Sequence, residues 1–315
     1  MGKIAFVFPG QGSQTVGMGK ELAEKHSEVM DYFTKADSRL NVPLSKLIFE
    51  GPKEELTITY NTQPALLTTS MAILEYFSKS GVKADFAAGH SLGEYTALVA
   101  AGVFSFEDGV YAVRKRGEFM ENAVPNGEGS MAAVLGLDRE PLAAVTNEVS
   151  ESGPTVSLAN LNCPGQIVIS GSREGVELAG VKAKEAGAKR VLPLDVSGPF
   201  HSTLMKPAAD QLREVLDGVE MKDAAIPVVV NVSAEPIQSA SDIKDKLIEQ
   251  LYSPVLWEDS VAKMIELGVD TFIEIGPGKV LSGLIKKIDK TVKIYSVSDE
   301  ESANAVIEAL KEENL

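Results

Sequence analysis

Within the stretch AAGHSLGEYTA, residues Gly89-His90-Ser91-Leu92-Gly93 place a hydroxyl between two glycines. A G-x-S-x-G pattern does chemistry where a buried strand meets a helix at a sharp turn. The small residues let the backbone fold tightly, and the hydroxyl is left exposed at the helix start. The context fits: DFAAGH (85–90) is a short apolar run, and LGEYTALVAAG reads as a helix that Gly102 closes. Ser91 is therefore a candidate nucleophile. Outside such a turn it would be an ordinary helix N-cap.

A serine hydroxyl needs a general base, and histidine is the usual one near neutral pH. The chain has three histidines. His26 lies in the charged stretch GKELAEKHSE and reads as a solvated helix residue. His90 adjoins the serine, so its own backbone limits where its ring can reach. His201 sits in the Gly-Pro turn SGPFHS, and by elimination it is the best candidate for the base.

An acyl transfer also needs donors for the oxyanion. The amide after the nucleophile, that of Leu92, would supply one. The loop FPGQGSQ (8–14) follows the buried-strand pattern IAFVFP, and Gln11 is the natural second donor. The same loop begins like a dinucleotide fingerprint, but Thr15 occupies the third glycine position, which argues against that reading.

A charged acyl group would require a fixed cation. On a wheel of about 100° per residue, the helix 106–122 gathers Phe106, Val110, Val113, Gly117 and Met120 on one face. Lys115 points away, while Arg114 and Arg116 occupy opposite borders, Arg116 beside Met120. Position alone does not separate a solvated arginine from one whose rigid fork binds a carboxylate. Until that is decided, a Ser-His site serves an acyl hydrolase as well as a transferase.

The elements that would hold these residues read as an α/β chain. Helical periodicity covers 62–80, and Ser105 with Asp108 resembles a capping box for the helix 106–122. From SMAAVLGL (130–137) to KRVLPLDV (189–196) the order is βαββαβ, with helices at 138–152 and 173–188 and two strands around Cys163-Pro164-Gly165. That is a ferredoxin-like unit. The turn-rich stretches PNGEG (125–129) and SGP (197–199) bound it. We expect a core of 1–127 and 198–315 with a mostly parallel sheet, interrupted by an inserted subdomain at 128–197. After it come a helix at 202–218, the strand IPVVVNVS (226–233), helices near 242–251 and 257–267, and the strand 270–276. A helix near 279–287 and the strand KIYSV complete the expected set.

Bulk composition removes several classes. Of 315 residues, 45 are acidic and 30 basic, a net charge of -15, so a broad nucleic-acid surface is not expected. The single cysteine, Cys163, excludes an internal disulfide and a multi-cysteine metal site. The opening apolar run is too short for a signal peptide, and no segment is long enough to span a bilayer. A cytoplasmic protein is the expectation.

The sequence resembles the malonyl-CoA:acyl-carrier-protein transacylases of fatty-acid synthesis. The motifs FPGQGSQ, TQPAL (62–66), GHSLGEY, RKRGEFM (114–120), NCPGQIVISG (162–171), SGPFHS, EQLYSPVLW (249–257) and EIGPGKVL (274–281) carry the likeness in order along nearly the whole chain. The resemblance implies an α/β-hydrolase-like core with an inserted ferredoxin-like subdomain. It implies Ser91 as nucleophile, His201 as base, and Gln11 and Leu92 as oxyanion-hole amides. Arg116 would bind the malonyl carboxylate, and Gln250 would supply a carbonyl that accepts from the histidine. His90 and Asn160 would lie near the site, with Met120 lining it. Phe200 would crowd a methyl branch on the acyl group. Malonyl-CoA and holo acyl carrier protein are the implied partners, to a monomer without metal or bound cofactor. Because carrier proteins are acidic and so is this chain, docking would need a local basic patch. The candidates are Lys182, Lys184, Lys189 and Arg190, or Lys279, Lys286, Lys287, Lys290 and Lys293.

Overall fold

A computed structural model describes residues 2–125 and 127–313. Among the described residues, ten strands form two sheets: β1 (Lys3–Phe8), β2 (Phe86–Gly89), β3 (Gly129–Leu135), β4 (Val156–Cys163), β5 (Gln166–Ser172), β6 (Arg190–Pro193), β7 (Val228–Val229), β8 (Pro236–Ile237), β9 (Val269–Ile275) and β10 (Lys293–Val297). The first sheet has the order β10-β9-β1-β2-β7-β8, and every pair in it is parallel except the terminal β7–β8. The alternation of β1 explains its double cover. Phe6 and Phe8 point into one apolar cluster with the helices Thr59–Ser78, Leu92–Ala100 and Phe106–Asn122. Ala5 and Val7 point into another with Trp257, Val261, Leu281 and Ile285.

The second sheet is antiparallel, with the order β4-β5-β3-β6. Helices Arg139–Glu151 and Arg173–Glu185 cover one of its faces through Val134, Ile167 and Ile169. Met131, Ala159 and Val168 on the opposite face join the main core, which sets this sheet over the carboxyl ends of β1 and β2.

Most expected elements are present, with corrections at the ends. IPVVVNVS makes a ladder only at Val228–Val229, because the chain turns at Val230 to Ala234 and the Val230 amide donates to Glu235 O. The strand expected at 189–196 pairs over Arg190–Pro193 only, and a 3₁₀ turn at Thr203–Met205 precedes the helix Lys206–Asp217. A C-terminal helix, Glu300–Glu313, was not expected; it packs through Ala303, Val306 and Leu310. His26 is not a mid-helix residue. It caps the break between Lys20–Lys25 and Ser27–Leu40, with its ring 4.7 Å from that of Tyr76. Asn126 of the PNGEG turn lies outside the described residues. The Ser105 cap forms as expected: its hydroxyl accepts from the Asp108 amide at 3.1 Å. No helix among the described residues is long and apolar enough to cross a membrane.

Candidate active site

β1 and β2 lie side by side with Phe8 opposite Gly89, so the loops after both strands emerge together. At the end of β2 the chain reverses into the helix Leu92–Ala100 through Ser91, at φ 52 and ψ -106. That conformation costs on the order of 1–3 kcal/mol for a residue with a side chain. The flanking glycines make the turn possible. A Cβ on Gly89 would sit 1.9 Å from the Gly93 carbonyl carbon, and one on Gly93 would sit 2.1 Å from Phe8 O.

The Ser91 hydroxyl reaches His201 Nε2 at 2.8 Å. His201 Nδ1–H donates to the Gln250 carbonyl at 2.8 Å, which leaves Nε2 as the acceptor facing the serine. Among the described residues no carboxylate occupies the third place; a neutral main-chain oxygen orients the ring. Burial, and next the Arg116 charge, push His201 down to about 3, so at neutral pH the imidazole is uncharged and free to take a proton.

Arg116 is 1% exposed. It therefore lies inside the protein, although the helical wheel gave it a border position. The buried face of the helix is wider than its apolar stripe and takes in Gly109, Ala112 and Arg116 on that border, where the guanidinium meets polar partners: Nη1 donates to Gln63 Oε1 at 2.7 Å, and Nη2 donates to Gln250 Oε1 at 2.8 Å and to Ser91 Oγ at 3.0 Å. The Nε–H has no partner among the described residues. Arg114, on the other border, is tied to Glu118 and Asn61 outside the site. The structure thus separates the two arginines that the wheel left equal.

Gln11, His90, Ser91, Leu92, Arg116, Met120, Asn160, Phe200 and His201 all line one pocket of ≈ 120 Å³. Gln250 stands behind it. The Gln11 and Leu92 amides have no protein acceptor among the described residues. His90 Nε2 bonds to Asn162 Oδ1 at 2.8 Å, and the His90 ring lies 5.8 Å from that of Trp257. The rest of the wall, Met131, Leu194 and Val196, comes from the antiparallel sheet and the segment after it, and it makes the pocket largely apolar around a charged end.

The model of the acyl transferase domain family matches residues 5–313. A malonyl CoA-acyl carrier protein transacylase of Bacillus subtilis is 64% identical over 314 residues, covering 100% of this chain and 99% of that protein. This chain belongs to the malonyl-CoA:acyl-carrier-protein transacylase family. Solved structures of the family agree. An acyl carrier protein S-malonyltransferase from Vibrio cholerae, 48% identical, superposes with a TM-score of 0.94 over 96% of this chain and 99% of that one. A malonyl-transacylase in complex with its type II PKS acyl-carrier protein, 47% identical, superposes with a TM-score of 0.94 over 98% and 99%.

Reading the sequence missed four polar residues of the site: Gln63, Glu94, Asn162 and Asn231. Two carried a signal. Gln63 stands directly before the apolar run PALL, and Asn231 ends the run VVVN; both are buried, and a buried polar side chain needs partners. Glu94 lies three residues after the serine, where a helix-start carboxylate is ordinary, and only the fold reveals its burial.

Proposed function

We propose that this chain transfers malonyl groups from malonyl-CoA to the phosphopantetheine thiol of an acyl carrier protein, through a malonyl-Ser91 ester in a ping-pong sequence. His201 Nε2 takes the Ser91 proton as Oγ bonds to the thioester carbonyl carbon. The oxyanion accepts from the Gln11 and Leu92 amides. When the intermediate collapses, the carbon–sulfur bond breaks and His201 returns its proton to the CoA thiolate. In the second half the carrier thiol gives its proton to His201 and its sulfur attacks the ester. Ser91 leaves and is reprotonated. One thioester replaces another, so the exchange is nearly isoenergetic.

The observation that carries this reading is the 3.0 Å contact between Arg116 Nη2 and a serine oxygen that is itself 2.8 Å from its base. A malonyl ester holds its carboxylate one methylene beyond the acyl carbon, within reach of a guanidinium this close to Oγ. Gln63 and Gln250 fix the fork, so the cation is ordered before substrate arrives. The apolar side of the pocket, with Phe200 and Met120, limits the bulk at the methylene. A hydrolase of neutral esters has no use for a buried, preorganised cation at this place.

The finer fold assignment belongs to the same proposal. We read residues 1–127 and 198–315 as an α/β-hydrolase-like core and 128–197 as an inserted ferredoxin-like subdomain. The βαββαβ order and the β6-β3-β5-β4 arrangement support this. For carrier docking, Lys279, Lys286 and Lys290 surround one shallow surface depression, whereas Lys182 of the other cluster is paired with Glu148 at 2.7 Å. The C-terminal cluster is the better candidate.

The test is kinetic. With malonyl-CoA and holo carrier protein both varied, double-reciprocal plots should be parallel, and labelled CoA should exchange into malonyl-CoA with no carrier present. Intersecting lines without exchange would rule out the acyl-enzyme.

A further inference from the structure

Ser91 is held on both sides by side chains far away in sequence. Its amide donates to Asn231 Oδ1 at 2.7 Å, and its carbonyl accepts from Gln250 Nε2 at 3.0 Å. Both clamps run to one carboxylate. Glu94 Oε2 accepts from the Asn231 amide at 2.8 Å and from Gln250 Nε2 at 3.0 Å. Asn231 is fixed further by its own Nδ2, which donates to Gly89 O at 2.7 Å. Glu94 is 1% exposed, and its other oxygen, Oε1, has no partner among the described residues.

We propose that Glu94 is a positioning residue for acyl transfer. By bonding Asn231 and Gln250 at once, it holds the strained Ser91 backbone and, through Gln250, the Arg116 fork in one arrangement. This rests on the function proposed above. Glu94 does not touch the reacting atoms: the third place behind His201 belongs to the Gln250 carbonyl. Nor is stability an adequate reason for it. A buried carboxylate with two donors and an unpaired oxygen is a poor exchange for an apolar side chain of the same size. Burial raises it to about 7, while the bonds from Asn231 and Gln250 and the nearby Arg116 charge pull it the other way. What this side chain provides is a single oxygen that accepts from two donors on two separate segments, both of which reach Ser91. Gln250 then links the two halves of the site. Its Nε2 serves Glu94 and Ser91, its Oε1 accepts from Arg116, and its main-chain oxygen orients His201. Tilting this one side chain would move nucleophile and cation together.

The test is rapid-quench acylation by malonyl-CoA, read as malonyl-enzyme by intact mass, in wild type, Glu94→Leu, Glu94→Gln, Asn231→Ala and the Glu94→Leu/Asn231→Ala double variant. Glu94→Leu deletes the acceptor and should lower the acylation rate about 100-fold, the scale of a 1 Å misplacement, with KM for malonyl-CoA moved less than about threefold. Glu94→Gln can still place an amide oxygen where Oε2 lies, so it should recover most of that loss. The double variant should be no slower than the worse single one, since both break one unit. Overturning results are a Glu94→Leu rate equal to wild type, a Glu94→Gln variant as slow as Glu94→Leu, or losses that multiply. Should Glu94→Leu fail to fold, an Asn231→Ala rate equal to wild type would overturn the inference equally. Wild type in the same experiment separates the two readings: with no malonyl-enzyme there, the proposed function fails first.

Discussion

Replacing Arg116 by alanine tests whether the buried cation selects the acyl group. Arg116 lies 1% exposed with its fork held by two glutamines, so a malonyl carboxylate placed there would be paired with little water to compete. Breaking one half of such a desolvated, hydrogen-bonded pair costs about 3–5 kcal/mol. At about 1.4 kcal/mol per tenfold, kcat/KM for malonyl-CoA should fall between about 10² and 10⁴-fold. Part of the damage is independent of the substrate. The Nη2 contact to Ser91 Oγ is lost, and the acceptors of Gln63 and Gln250 lose their donor. Acetyl-CoA measures that share, because its methyl group makes no ion pair. The assay is acylation of each variant by malonyl- and acetyl-CoA at pH 8, where His201 is neutral with or without the arginine beside it. The malonyl-to-acetyl ratio should drop at least about 100-fold. Arg116→Lys should regain only part of it, because one ammonium cannot serve both glutamines and a carboxylate fork. If both substrates fall by the same factor, Arg116 only props up the site and the selection argument is wrong.

Other outcomes follow from the same geometry. Since His201 is pushed down to about 3, the acylation rate should show no protonation step near pH 6.5; a rate that halves there would contradict the burial argument. The folded value lies below the ordinary 6.5, so the stability that the neutral ring contributes is complete above pH 6.5. It is lost as pH falls toward 3, which denaturant titrations between pH 7 and 4 should register as declining stability. Gly93→Ala forces a Cβ to within 2.1 Å of Phe8 O, so its thermal midpoint should drop by more than the about 1–3 kcal/mol usual for overpacking would cause. An unchanged midpoint would mean that the turn relaxes easily. Phe200→Ala should raise the methylmalonyl-to-malonyl ratio of kcat/KM by opening the pocket wall; a constant ratio would remove Phe200 from the specificity account.

Chemistry was more legible in the sequence than architecture at its edges. The G-x-S-x-G turn could be read because each glycine answers a steric demand that leaves a fixed spacing, and His201 because only three histidines compete. The alternation of strands and helices gave the parallel sheet. The helix Phe106–Asn122 could be delimited by its Ser105 cap. Arg116 shows the limit of a wheel read from large apolar residues alone: the buried arc also takes in Gly109, Ala112 and Arg116, and the partner that receives the guanidinium, Gln63, lies 53 residues away. Glu94 and Asn162 escaped for the same reason. Their burial is set by contacts 72 to 156 residues distant, which no local pattern encodes. Asn231, at the end of an apolar run, was by contrast legible and overlooked. The amphipathic spacing of Ala303, Val306 and Leu310 did encode the last helix, in a stretch rich in charge.

The proposed reaction turns on a malonyl ester on Ser91 that passes to a carrier thiol. Intact-protein mass spectrometry after mixing with malonyl-CoA, with and without holo acyl carrier protein, tests it most directly. The account requires one malonyl adduct, absent in Ser91→Ala, that persists without the carrier and moves to the carrier when it is added. An adduct that decays to free malonate at the same rate in both mixtures, or one that survives Ser91→Ala, would contradict it.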